Sequence, residues 1–313
     1  MTNYLVNNIQ QYAFYENTNI KSLTLNNQGV IGDNTFYNSL NINEITISGC
    51  VTSLGSSIFS GCSKLKQISI PKSVQSIGDK AFYGCTQLCD ITFEDAVRTD
   101  PNSEPDVILL GSNGENPLFS SCPLDEVYIG RKLSYGTAAE KGYSPFYCNK
   151  SLRSVVITDS ETEIYDNEFY GCSNLKSLKI GNGVKRIGNR AFSGCSALDY
   201  FSAGCNIETI GNEAFSDCTG LTKFYSHSKL PPVCGEQALD DINKWECTLY
   251  VAEQSSDKYR AAPQWKDFFF IEESTDAGVG AVLVDNDSEM EVYDLQGRMV
   301  GTSLGLESRH LHC

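Results

Sequence analysis

Ile187-Gly188-Asn189-Arg190-Ala191-Phe192-Ser193-Gly194-Cys195-Ser196-Ala197-Leu198 is the clearest copy of a phrase that recurs through most of this chain. Its phenylalanine returns at Phe14, Phe36, Phe59, Phe82, Phe119, Phe146, Phe169, Phe192 and Phe215, and five of the eight intervals are 23 residues. A fixed period of that length marks a solenoid, in which each unit is one turn of chain stacked on the last. One turn buries too little apolar surface to offset the entropy of ordering its own backbone, so each depends on its neighbours.

Apolar residues follow every Phe at set distances, as Leu65, Ile68 and Ile70 follow Phe59, and as Leu175, Leu178 and Ile180 follow Phe169. This is the leucine-rich-repeat spacing, and its alternating last pair predicts a short strand with one face inward. The pattern runs from Ile20, Leu23 and Leu25 to Leu221, Phe224 and Ser226, where the last inward position turns polar. Strands repeated this way lie parallel and about 4.8 Å apart, which gives a sheet about 38 Å across. Val74, Ile77, Val184 and Ile187 are expected to supply the apolar contacts of the return path. That path reads as a second short strand or extended piece, then a tight turn around Ala81-Phe82, with little helix. Gly61, Gly84, Gly171 and Gly194 share a slot that Asn38, Ser121 and Asp217 fill elsewhere, so it is expected to be a left-handed turn position.

Of thirteen cysteines, Cys62, Cys85, Cys122, Cys148, Cys172, Cys195 and Cys218 follow the repeat Phe by two or three residues. Such a row cannot converge tetrahedrally on zinc, and in-register Cβ atoms about 4.8 Å apart exceed disulfide range. The row is expected to be buried thiols acting as small apolar fillers. Cys234 and Cys247 stand outside it, where the chain is able to fold back and pair them in a disulfide. Cys50, Cys89, Cys205 and Cys313 follow no pattern.

The 313 residues hold 41% hydrophobic side chains and carry 39 acidic against 24 basic groups, a net charge of −15. That sign opposes nucleic acid and anionic membranes. No apolar run reaches the ~20 residues of a membrane span. Met1-Thr2-Asn3-Tyr4-Leu5-Val6 lacks a basic start with an apolar core, so an export signal is expected to have been removed.

The solenoid is assigned to residues 1–229 as nine repeats. Between Phe82 and Phe119 the segment 94–117 is rich in Asp, Glu, Asn, Pro and Gly and reads as a loop on the solenoid edge. A shorter extension before Phe146 carries Arg131, Lys132, Tyr135, Lys141 and Tyr143. From Leu230 the pattern is lost, and residues 230–273, with Tyr259, Trp265, Phe268 and Ile271, read as a cap over the open core. Residues 274–313 read as a linker and a short β tail.

Units of the form Ile-Gly-x-x-Ala-Phe-x-Gly-Cys, at Ile77 to Cys85 and Ile187 to Cys195, resemble the BspA-type leucine-rich repeats of bacterial surface proteins. The likeness covers residues 12–273. It implies a β-rich, right-handed superhelix with a parallel sheet, and an exported protein of the cell surface; some members bind host matrix or plasma proteins. The piece from Val292 to Val300 resembles the start of the C-terminal sorting domain of Bacteroidetes exported proteins, and the chain ends where that domain would continue.

Catalytic signatures are absent: the three histidines (His227, His310, His312) join no nucleophile elbow, zinc helix or phosphate loop. Asp285, Asp287 and Glu289 mimic a calcium loop, but Met290 and Gln296 stand where Gly and Glu are required. No cofactor or metal is therefore expected. The outward strand rows are the better site. Lys179, Tyr200, Lys223 and Tyr225 cluster toward the C-terminal end, and aromatics beside charges anchor protein interfaces. The expected function is non-enzymatic binding of an extracellular protein; a glycan-binding module using Tyr128, Tyr135 and Tyr143, or a passive spacer, is the alternative.

Overall fold

A computed structural model describes residues 8–26, 29–95, 106–112, 116–135 and 144–274, and the backbone of strands Val282–Asn286, Glu289–Tyr293 and Met299–Thr302. Tyr143, Lys141 and Cys313 lie outside the described residues. The chain coils as a parallel β-solenoid. One wall is a two-stranded sheet, Ser22–Leu25 with Glu44–Ile47, followed by nine strands from Gln67–Ile70 to Phe270–Ser274. The return wall holds shorter strands in two sheets, five from Gly29–Ile31 to Lys132–Tyr135 and four from Glu163–Ile164 to Val233–Cys234. Register follows the alternation of the sequence: Leu178, Phe201, Phe224 and Leu249 are neighbours facing in, and Lys179, Ser202, Tyr225 and Tyr250 are neighbours facing out. Among the described residues helix is confined to Ser256–Ala261 and a 3-10 turn at Trp265–Asp267.

All nine repeat phenylalanines stack in one column, with successive ring centroids 5.2 to 5.9 Å apart. Backbone bonds tie the same positions between turns, as where Phe169 N–H donates to Ala191 and Phe192 N–H to Ala214. The cysteine row does more than fill space. Each of Cys62, Cys85, Cys122, Cys172, Cys195 and Cys218 donates its thiol proton to the Phe carbonyl of the preceding turn at 3.2 to 3.4 Å. Ser39 does the same to Phe14, and Asn149 to Phe119 and Cys122. Burial pushes the Cys62 and Cys122 thiols up to about 12, so they stay protonated donors. Cys148 departs from the expected row: it is exposed and occupies the left-handed slot (φ 55°), and Asn149 takes the donor position. Cys234 and Cys247 are free thiols.

The left-handed slot is occupied as expected by Gly61, Gly84, Gly171, Gly194, Asn38 and Asp217. Ser121 departs from it and accepts the Gly84 N–H through its hydroxyl at 2.8 Å. The glycine of Ile-Gly has another cause. A Cβ on Gly188 would stand 2.5 Å from the Asp166 nitrogen of the turn below, whereas one on Gly49 would meet nothing within 4 Å. Gly188→Ala is therefore expected to cost about 1–3 kcal/mol through overpacking against backbone. Gly49→Ala is expected to be near neutral, and urea denaturation of the two compares them.

Two readings change on the return wall. Within the polar segment 94–117, Val107–Leu110 is a strand that pairs with Ser76–Ile77 and Lys132–Tyr135, because Ile108 and Leu110 alternate into the core. Past Leu230 the walls continue: Val233–Cys234 pairs with Thr209–Ile210, and Thr248–Ala252 with Lys223–Ser226. Leu239 is buried where earlier turns place Phe, and it was invisible to a search for the ring. Tyr259, Trp265, Phe268 and Ile271 are buried, and the Tyr259 and Ser226 hydroxyls bond at 2.7 Å.

Candidate functional site

Strand pleating alone decides which side chains reach solvent on the front wall, since alternate residues face opposite ways. At its C-terminal end that rule places Tyr200, Tyr225 and Tyr250 outward on three successive strands. Tyr225 stacks on Tyr250 with centroids 4.4 Å apart and planes 12° apart, and lies 5.3 Å from Tyr200. The His227 ring lies 6.1 Å from Tyr225, and its Nε2 is 3.3 Å from the Ser202 hydroxyl. Lys223 is exposed and sits in register between Tyr200 and Thr248. The result is a shelf of aromatic faces with a cation at its edge. Such surfaces bury large area at small entropic cost, because each tyrosine has two side-chain torsions.

The expected residues divide on inspection. Tyr200, Lys223 and Tyr225 come together. Lys179 is in the same outward row but only 8% exposed. Tyr128 stands further along the wall, and its hydroxyl donates to both Asp95 carboxylate oxygens at 3.0 and 3.1 Å. Tyr135 is not a surface residue: it is 5% exposed, because Leu133 and Tyr135 are the inward positions of Lys132–Tyr135. Tyr143 lies outside the described residues. Tyr250 was missed because it sits beyond the loss of the repeat; the alternation of Thr248-Leu249-Tyr250-Val251, laid beside Lys223-Phe224-Tyr225-Ser226, is the signal that finds it.

Toward the other end the wall is acidic. Asp90 and Glu126 are cross-strand neighbours, and the Glu126 carboxyl is raised by burial and then by Asp90 and Asp125. At the solenoid corner beside the tyrosines a groove of about 940 Å³ is lined by Ile207, Glu208, His227, Leu230, Pro231 and Val233 among others.

A second polar cluster is internal, at the break between the two return sheets. Glu161 and Glu168 are each 3% exposed. Glu161 accepts the Leu133 N–H at 2.6 Å, replacing the ladder bond that the break removes, and Glu168 accepts the Tyr165 N–H at 2.7 Å. Tyr135 packs edge-on against Tyr165 at 5.2 Å. The Tyr135 hydroxyl and Glu161 Oε2 find no hydrogen-bond partner at normal geometry. Burial first, and then Glu168, raise Glu161 to about 8; burial raises Glu168 to about 8 as well. Nearby, the buried Arg131 guanidinium donates to the Pro71 and Lys72 carbonyls at 3.1 and 2.8 Å, so this residue of the expected surface extension is a clamp between turns. Among the described residues no three His, Cys, Asp or Glu side chains group to hold a metal, and no helix is long and apolar enough to cross a membrane.

The sequence pattern of the BspA type leucine rich repeat region matches the chain in six copies, over residues 3–103 and 142–234. No protein with a curated description matches it. Among solved structures, a leucine-rich repeat protein of T. pallidum is 21% identical, with 61% of this chain and 82% of that one covered and a TM-score of 0.43. One from Bacteroides ovatus is also 21% identical, over 82% of this chain and 66% of the other, with a TM-score of 0.44. The pneumococcal vaccine antigen PcpA is 18% identical, over 87% and 72%, with a TM-score of 0.36.

Proposed function

Because the chain belongs to the BspA-type leucine-rich repeat family, we propose that it is an extracellular or cell-surface protein-binding module whose contact surface is the C-terminal end of the front wall. The stacked outward tyrosines, Tyr200, Tyr225 and Tyr250, are the observation that carries this reading. A rigid parallel sheet holds them in fixed relation, so a partner meets a surface already ordered before binding. Lys223 at the edge contributes charge and orientation, with less affinity than the rings because it is exposed. The role is binding, with no reaction assigned, and adhesion to a matrix or surface protein of a host is the form of it that the family suggests. The glycan reading loses Tyr135 to the core.

The test is capture of a protein from matrix and cell-surface extracts, followed by affinity measurement with purified partner. Tyr225→Ala is expected to weaken binding at least about tenfold, the equivalent of ~1.4 kcal/mol at a central aromatic anchor. Tyr128→Ala, whose ring belongs to the distant acidic part of the wall, is expected to leave it unchanged. A partner that binds the Tyr200, Tyr225 and Tyr250 triple alanine variant as tightly as the parent contradicts the proposal.

A further inference from the structure

The chain breaks its own inside–outside pattern at one place on the return wall. Glu163, Arg186 and Thr209 share one outward slot in register, and the next strand puts Val233 there. At 23-residue steps Val184 and Ile207 are buried, yet Leu230, the next step, is exposed. The ladder explains it. Arg186 pairs with Thr209 after 23 residues and Thr209 with Val233 after 24, so one extra residue turns Leu230 out of the core. Leu230 and Val233 are 68% and 71% exposed, more than any other large aliphatic side chain among the described residues. Apolar residues in solvent-facing slots work against solubility and mark a surface that a partner covers.

Both side chains line the groove at the solenoid corner, together with buried Ile207 and half-buried Pro231. Its walls come from three successive turns, through segments 205–208, 227–233 and 252–254. Pro232 is buried and its carbonyl accepts the Trp265 indole N–H at 2.8 Å, which holds the displaced strand in place. Two of the turns add a carboxylate: Glu208 and Glu253 are exposed in the lining, where Lys229 is the cation. His227 lines the groove and also stacks on Tyr225, so the groove opens onto the tyrosine shelf.

We infer that this groove takes an extended segment of the protein partner, with an aliphatic side chain on Leu230 and Val233 and a lysine or arginine next to it on Glu208 and Glu253. The inference rests on the tyrosine shelf being a contact surface, and it names the part of the partner that enters beside it. Length fits. Neighbouring turns lie about 4.8 Å apart, so a groove that crosses two such steps is about 10 Å long, the span of about three residues of extended chain. The groove volume of about 940 Å³ lies within the range of sites that enclose a ligand. Charge selects the occupant. An acyl chain with an anionic headgroup meets Glu208 and Glu253, and a second copy of this chain brings a further net charge of −15.

The probe is a fluorescent octapeptide in which lysine and valine alternate, compared by anisotropy with one that has glutamate for every lysine and one that has serine for every valine. The full chain is expected to bind the lysine–valine peptide at least about tenfold more tightly than either counterpart. Val233→Thr, which restores the residue type of the preceding turn, is expected to weaken that peptide about tenfold, and so is Glu208→Gln with Glu253→Gln. These side chains are exposed, so the solenoid stays folded in each variant, which far-ultraviolet dichroism checks. No binding of the lysine–valine peptide, equal binding of all three peptides, or equal binding by the parent and both variants overturns the inference. Self-association of the parent that Val233→Thr abolishes overturns it too, because it assigns the groove to a second copy. The octapeptide reads the groove, whereas the purified partner with Tyr225→Ala reads the shelf, so failure of one result with the other intact tells the two readings apart.

Discussion

Phe192→Ala is expected to destabilise the protein by about 4 kcal/mol, the range for a fully buried ring whose cavity cannot collapse. Phe192 is wholly buried and lies against Phe169, Phe215 and Phe201 at 5.8, 5.2 and 5.7 Å. Phe14, in the first turn, is only partly buried and stacks on Phe36 at 5.3 Å. Phe14→Ala is expected to cost about 1–2 kcal/mol, because part of its surface already meets water. Urea denaturation of both variants reads the difference. Equal costs would mean that the column is not a shared core and that position along the stack carries no weight.

A second large effect is set by pH. Glu161 and Glu168 are held protonated in the folded chain, each with a value of about 8, against about 4.3 for an exposed glutamate in the unfolded chain. Between those values the folded state binds more protons than the unfolded state, so stability falls as pH rises. The loss begins near the unfolded value and levels off above about 8. Each of the two carboxyls contributes up to about 1.4 kcal/mol per pH unit through the middle of that window. Glu161→Gln with Glu168→Gln keeps the shape and removes the titration, so the double variant is expected to be the more stable at pH 8 and nearly level from pH 5 to 8. Asp241, held low by the Asp217 N–H and the Ser216 hydroxyl, acts in the other direction and in another window, below its ordinary range. A parent protein whose denaturation midpoint is unchanged between pH 5 and 8 contradicts the assignment of neutral carboxyls to the break in the return wall.

What was legible in the sequence is what repeats. The Phe column, the inward Leu and Ile positions and the left-handed glycine slot all recur at one spacing, and each is a local demand of the turn. A second left-handed position, two residues before the repeat Phe, escaped notice because Asn34, Ser57, Lys80, Asn167, Arg190 and Glu213 have no chemistry in common. Bonds to the next turn hold it there, as where Arg190 N–H donates to Asn212 and Glu213 N–H to Glu236. The thiol row was visible, but its donor role was not, because a hydrogen bond to the preceding turn depends on the offset between turns. Tyr135 and Arg131 were misplaced for the reverse reason. They sit where the return sheet breaks, and period gives no guidance at a break. Tyr250 lay past the point where Leu239 replaces the ring, so two of the three shelf tyrosines were read and the one stacked at 4.4 Å on Tyr225 was not.

Peptide-resolved hydrogen exchange of the parent and Phe192→Ala tests most directly whether the turns share one core. A continuous column predicts that removing this ring accelerates exchange in its own turn and also around Phe169 and Phe215, whose amides bond to Ala191 and Ala238. Acceleration confined to the residues around Phe192, with both neighbouring turns at parent rates, would show turns that stand independently and would contradict the account.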